Sequence, residues 1–188
     1  IKEALGDRAS VRVDVNQAWD ESTAVLGIQA LQEAGIELIE QPIGAREHAG
    51  LVRLANRFNV PMLADEAVQD ARDGLDLVCG GFSGAFALKL AKSGGIYGAL
   101  ELAHVAQAAG IGLYGGTLLE GTIGTAASLH AWATLPTMTW GTEMFGPLLL
   151  QDDIVVSPLD YSEFGVALPP GPGLGITLDE DKLAHYAR

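Results

Sequence analysis

Three acidic residues, each closing a short apolar run, recur at nearly equal intervals: Val-Arg-Val-Asp ends at Asp14, Glu-Leu-Ile-Glu at Glu40 and Met-Leu-Ala-Asp at Asp65. The intervals of 26 and 25 residues each have room for one strand, one helix and two loops. Strand-helix-strand units of that length make consecutive strands parallel neighbours, so the three carboxylates should meet at the carboxyl ends of one sheet. Converging carboxylates repel one another unless a cation sits among them, and all-oxygen ligation suits a hard divalent ion, Mn²⁺ or Mg²⁺. Any one acid at a strand end could equally cap the following helix. Three in succession at matching positions favour a metal site, with Asn16, Gln41 and Glu66 following closely as candidates to orient the ligands.

The same beat continues down the chain. Helical periodicity from Thr23 to Ala34 stops at Gly35, a strand is expected over Ile36 to Glu40, and a helix over Glu47 to Phe58. After Met62 to Asp65 come a short helix around Asp73 to Val78 and a strand over Phe86 to Lys89. A helix over Gly95 to Ala109, a strand over Gly112 to Tyr114, a helix over Gly121 to Leu135 and a sixth strand over Met138 to Trp140 complete the series. Strand ends near 14, 40, 65, 89, 115 and 141, with polar residues at them, predict an α/β architecture. Its form is a TIM-type (β/α)8 barrel of which this chain supplies six βα units. Beyond Glu143 the pattern gives way to a Pro and Gly-rich tail and a terminal helix over Asp179 to Ala187. Residues 1–150 therefore read as barrel with the metal site. Residues 151–188 read as a tail packing on the barrel or on a capping domain.

The formal charge of −13 argues against nucleic acid or anionic membrane as partner, since both require a basic face. No uninterrupted apolar run approaches the roughly 18 residues of a membrane span. The single cysteine, Cys79, excludes an internal disulfide and suits a reducing, cytoplasmic setting.

Lys89 ends the fourth strand run, 24 residues after Asp65, and should point into the same mouth as a general acid/base or as a fixed cation for developing negative charge. Lys92, three residues on, reads as a solvated surface charge. Glu143 follows the last strand run and could orient a lysine or the substrate. Glu120 reads instead as a first-turn carboxylate favoured by the helix dipole. Gly115 and Gly116 suggest close approach of backbone to a ligand. The four histidines sit in helical segments, and none reads as a ligand.

Five motifs together resemble the muconate lactonizing subgroup of the enolase superfamily. They are Asp14-Val15-Asn16-Gln17, Ile39-Glu40-Gln41-Pro42, Ala64-Asp65-Glu66, Leu88-Lys89-Leu90-Ala91-Lys92-Ser93-Gly94-Gly95 and Thr139-Trp140-Gly141-Thr142-Glu143. The resemblance implies Mn²⁺ or Mg²⁺ held by Asp14, Glu40 and Asp65, a small dicarboxylate substrate, a homo-oligomer, and a cycloisomerase of aromatic catabolism. In that reaction cis,cis-muconate closes to muconolactone, with Lys89 and Glu143 at the reacting molecule. Chloromuconate cycloisomerase, o-succinylbenzoate synthase and dipeptide epimerase share the pattern. The subgroup's Lys-x-Lys pair does not precede Asp14 here. Ile1 to Asp7 moreover reads as the last turns of a helix with Gly6 as its C-cap. Both lead to the expectation that the amino-terminal half of the enzyme, with its capping domain and first barrel units, lies outside this chain. With two open sheet edges the chain alone could also be a non-catalytic metal-binding fragment.

Overall fold

The apolar runs form five short strands, β1 (Arg12–Asp14), β2 (Leu38–Glu40), β3 (Met62–Ala64), β4 (Ala85–Leu88) and β5 (Gly112–Gly115), in one parallel sheet of order β1-β2-β3-β4-β5. The structure is a computed structural model and describes every residue except Glu163 and Arg188. Each new strand joins on the same side of the last, the order of a barrel arc; a doubly wound sheet would reverse direction at a switch point. A short α1 (Lys2–Leu5) ends at Gly6. The sheet is then interleaved with α2 (Glu21–Glu33), α3 (His48–Arg57), α4 (Ala71–Cys79), α5 (Ile96–Ala109) and α6 (Thr122–Trp132), and α7 (Glu180–Tyr186) closes the chain.

Both faces of the sheet are apolar, as a sheet covered on both sides requires. Ile39, Met62, Ala64, Phe86, Leu88 and Leu113 pack outward with Ile28, Leu51, Leu54, Leu77 and Leu102 of the helices. Leu38, Leu63, Ala85, Ala87 and Tyr114 form a second cluster on the inner face, against Trp140. The period-2 alternation of strand side chains accounts for this division residue by residue. Arg12 on β1 reaches across the inner face. Its guanidinium lies 5.5 Å from the ring centroids of both Tyr114 and Trp140 and donates to the Trp140 carbonyl at 2.9 Å. One side chain thereby links the two ends of the arc.

The expected sixth strand over Met138–Trp140 does not form, so five strands and one bridge stand in place of six. Gly141 has a φ of 73°, which breaks an extended run. Pairing to β5 is confined to its surroundings: Trp140 N–H donates to Leu113 O (2.9 Å), Gly115 N–H to Gly141 O (3.0 Å) and Glu143 N–H to Gly115 O (2.9 Å), with a single parallel bridge between Gly115 and Thr142. The consequence is positional: Glu143 arrives beside the carboxyl end of β5. The tail then returns over α6. Asp153 accepts from Thr122 N–H at 2.7 Å, Tyr161 donates to the Met144 carbonyl, and Val155 bridges antiparallel to Leu178. No helix among the described residues is long and apolar enough to cross a membrane.

Candidate metal centre

Strand alternation fixes which side chains share the mouth of the arc. Arg12 and Asp14 are in register with Leu38 and Glu40, and Leu38, Leu63, Ala87 and Tyr114 all face inward. Two residues on from these inward positions stand Glu40, Asp65, Lys89 and Gly116. Asp14, Glu40, Asp65 and Lys89 therefore form one row along the inner carboxyl rim. The alternative reading as helix caps fails for all three acids. α2 and α4 are capped by Asp20, which accepts from Thr23 N–H (2.7 Å), and Asp70, which accepts from Arg72 and Asp73 N–H (2.9 and 3.0 Å). The residue at that place for α3 is Glu47.

Asp14 accepts from the backbone N–H of Asn16 at 2.8 Å and from its side-chain amide at 3.3 Å. The loop manages this through left-handed backbone at Asn16 (φ 51°) and Gln17 (φ 64°). Gln41 (φ 32°) is a third such residue beside the row, and non-glycine residues in this region commonly mark functional sites. Gln41 is fully buried, and its side chain makes no hydrogen bond to any of the three carboxylates. Its Oε1 accepts from Asp65 and Ala67 N–H (2.9 and 3.1 Å), and its amide donates to Ile43 O (2.9 Å), fixing the backbone from which Asp65 projects. Glu66 points away from the row into an outer hollow with Arg46, His48 and Asp73. One of its oxygens is buried with no partner among the described residues.

Asp65 is 3 % exposed and Lys89 8 %. Lys89 donates to Asp65 Oδ2, while Lys92 donates to Asp65 Oδ1 (2.7 Å), Asp65 O (2.7 Å) and Ala87 O (2.9 Å). The expectation that Lys92 is a solvated surface charge is thus overturned. The chain turns continuously after β4, with Gly94 and Gly95 at φ 73° and 113°, and α5 starts only at Ile96, so Lys92 folds back over the rim. Burial works to raise Asp65, but the charge of Lys92 and the hydrogen bonds from both lysines outweigh it and hold the carboxyl below its usual range. Burial also opposes the Lys89 ammonium, and its bond to Asp65, with the charges of Asp65, Glu40 and Glu143, more than compensates. For Lys92 burial wins, and its pKa falls.

Glu40 bears the strain of the gathered charges. Burial, then repulsion from Asp14 and Asp65, raise it to about 8 despite the relief from Lys89. This is how buried carboxylates behave when gathered at close quarters, and the donor set is that of a hard divalent cation. Among the described residues no three acidic, histidine or cysteine side chains stand close enough to hold an ion as they are. The residue types and their shared face fit Mn²⁺ or Mg²⁺; loading requires the carboxylates to draw together and Glu40 to shed its proton. Apparent Mn²⁺ affinity should therefore climb about tenfold per pH unit up to about pH 8 and then level off. Titrations at pH 6, 7, 8 and 8.5 would check it, and a flat profile would show that Glu40 carries no proton for the ion to displace.

Glu143 Oε1 accepts from Thr117 N–H at 3.2 Å, and burial followed by the hydrogen bond to Glu143 raises the Tyr114 phenol. Glu143 also borders a hollow of about 410 Å³ lined by Met144, Phe145, Tyr161 and Val166. A larger one, of about 560 Å³, opens at the opposite, amino ends of the strands among Pro61, Gly84, Gly112 and Trp140, and among the described residues no acid or lysine lines it. Glu120 does not lie in the first turn of α6. Its carboxylate closes the preceding turn, accepting from the Thr117 hydroxyl and from Leu118 N–H (2.9 Å).

Gly116 makes room for Lys89. A Cβ there would stand 2.7 Å from Lys89 Cε and 3.2 Å from its Cγ, so the close approach read at this glycine is by the lysine. Gly116→Ala should leave the thermal midpoint within a few degrees of the parent, since the obstructed atoms belong to a flexible side chain. Were Lys89 to face a substrate, turnover of the whole protein should fall about 10²-fold, the scale on which a misplacement of about 1 Å acts. Unchanged turnover would show that the position of Lys89 is not set there.

Residues 1–182 match the enolase C-terminal domain-like family. Over all 188 residues the chain is 54 % identical to muconate cycloisomerase 1 of Pseudomonas putida, covering 50 % of that protein. It is 49 % identical to a chloromuconate cycloisomerase of Pseudomonas sp. (strain P51), covering 51 % of it. The crystal structure of muconate lactonizing enzyme from Klebsiella pneumoniae superposes with a TM-score of 0.96 at 62 % identity, over the whole of this chain and 52 % of that one. The chain spans about half the length of the curated relatives it matches.

Proposed function

The chain belongs to the enolase C-terminal domain-like family, and from that membership we propose that the whole protein is a metal-dependent muconate cycloisomerase interconverting cis,cis-muconate and muconolactone. The observation that carries this reading is the inward row Asp14, Glu40, Asp65 and Lys89, three carboxylates and an ammonium on one rim. Asp14, Glu40 and Asp65 would hold Mn²⁺ or Mg²⁺. When bound, such an ion supplies positive charge that stabilises an enolate-like carboxylate, an effect worth several kcal/mol.

Ring closure forms a bond from one substrate carboxylate oxygen to a carbon of the diene, and the displaced π pair moves toward the other carboxylate before a proton quenches it. Lys89 is buried, paired with Asp65 and seated in the space that Gly116 leaves, so it faces that developing charge as a fixed cation. Glu143, held by Thr117 N–H at the far end of the row, orients the substrate against the hollow beside it. Lys89 and a bound divalent ion at one rim would give a dicarboxylate a place to bind on a chain whose net charge of −13 otherwise repels it.

The test is turnover by the Mn²⁺-loaded whole protein, offered cis,cis-muconate, a chloro-substituted muconate, an N-succinyl amino acid and a dipeptide. The expected result is the highest kcat/KM on cis,cis-muconate. Preference for the chlorinated compound would move the assignment to chloromuconate cycloisomerase, and no turnover of either muconate would overturn it.

A further inference from the structure

Lys92 spends all three ammonium protons inside the protein, on Asp65 Oδ1, Asp65 O and Ala87 O, at 2.7, 2.7 and 2.9 Å. Its side chain is 10 % exposed. A saturated, buried ammonium has no proton pointing at a reacting molecule, which separates it from Lys89, whose Nζ makes its carboxylate contact to Oδ2. The acceptors of Lys92 lie on two neighbouring strand ends, Asp65 just past β3 and Ala87 within β4. With Gln41 holding Asp65 N–H from below, the backbone of Asp65 is tied at both N–H and C=O, and one carboxylate oxygen is tied as well.

We propose that Lys92 is a positioning residue for the metal centre: by occupying Oδ1 it fixes the Asp65 carboxylate so that Oδ2 alone is presented to the ion and to Lys89. The two lysines three residues apart then have opposite duties. Lys89 shares the presented oxygen, and Lys92 guarantees which oxygen is presented. The inference rests on the metal reading of Asp14, Glu40 and Asp65 proposed above.

Simple electrostatics and positioning predict opposite signs, which makes the claim testable. If Lys92 were only a nearby positive charge, its removal would relieve repulsion and tighten Mn²⁺ binding. If it positions Asp65, removal frees the carboxylate to rotate and weakens binding by about 10 to 100-fold, the usual cost of losing an outer partner of a metal ligand. The experiment is Mn²⁺ titration of the whole protein as parent and Lys92→Met, following free Mn²⁺ by electron paramagnetic resonance, with the thermal midpoint of the metal-free forms recorded alongside. Should Lys92→Met not fold, Lys92→Gln, which keeps an N–H donor for the buried carbonyls, carries the same expectation. Affinity equal to or tighter than the parent's would overturn the proposal. Glu40→Gln in the same series tells the two claims apart: if it binds Mn²⁺ as the parent does, the metal reading itself has failed. If only Glu40→Gln is weakened, the centre stands and Lys92 does not position it.

Discussion

Glu40→Gln should leave the protein folded and lower its Mn²⁺ affinity by more than the roughly 10 to 100-fold that loss of an outer partner costs, because a ligand itself is removed. Glutamine preserves the shape of Glu40 and discards its charge. In the metal-free protein that change is mild or even favourable. Glu40 is already driven toward its neutral form, raised to about 8 by burial and by Asp14 and Asp65, so a neutral side chain suits the site better than a carboxylate does. The thermal midpoint without metal should therefore hold or rise while the stabilisation conferred by added Mn²⁺ disappears. Turnover at fixed Mn²⁺ should drop by about 10³-fold or more, since several kcal/mol of charge stabilisation go with the ion. Melting curves with and without Mn²⁺, together with kcat, measure all three, and an unchanged response to Mn²⁺ would count decisively against the assignment.

Lys89→Met should dissociate metal binding from turnover in the other direction. The ammonium contacts Asp65 Oδ2, and its removal frees that oxygen and takes away a repelling charge, so Mn²⁺ should bind as well as in the parent or better. Asp65 is not left as an orphan buried charge, because Lys92 still holds Oδ1 and the backbone carbonyl. Turnover should nevertheless fall about 10² to 10³-fold, the scale on which loss of one preorganised charge-stabilising group acts. Metal affinity by titration and kcat on the same preparation check it; parallel loss of both would mean that Lys89 serves the metal site and not the substrate.

These two residues were legible in the sequence because alternation and spacing work together. Glu40, Asp65 and Lys89 each stand two residues past an inward-facing position, and the 24 to 26-residue beat places every strand end on one rim. The same rule carried a signal about Gln41 and Glu66. Each follows an inward acid by one residue, so in a strand it faces the other way, and neither makes a hydrogen bond to a carboxylate of the row. Asn16 reaches Asp14 because the backbone leaves the strand through two left-handed residues, which permits contact at a spacing of two. Lys92 and the sixth strand were misread for a related reason. Lys92 stands in the turn between β4 and α5, which Gly94 and Gly95 close at positive φ, and Gly141 after β5 breaks the extended run that the sequence suggests. The path of the chain around such glycines depends on tertiary contacts that no local pattern encodes.

That Asp14, Glu40 and Asp65 together hold one divalent ion is tested most directly by a crystal of the whole protein soaked in Mn²⁺ and measured at a wavelength where manganese scatters anomalously. The account predicts one anomalous peak at the inner rim, with oxygens of all three carboxylates around it and Asp65 contributing Oδ2 while Lys92 keeps Oδ1. A peak that lacks any of the three carboxylates, or no peak at the rim, would contradict it.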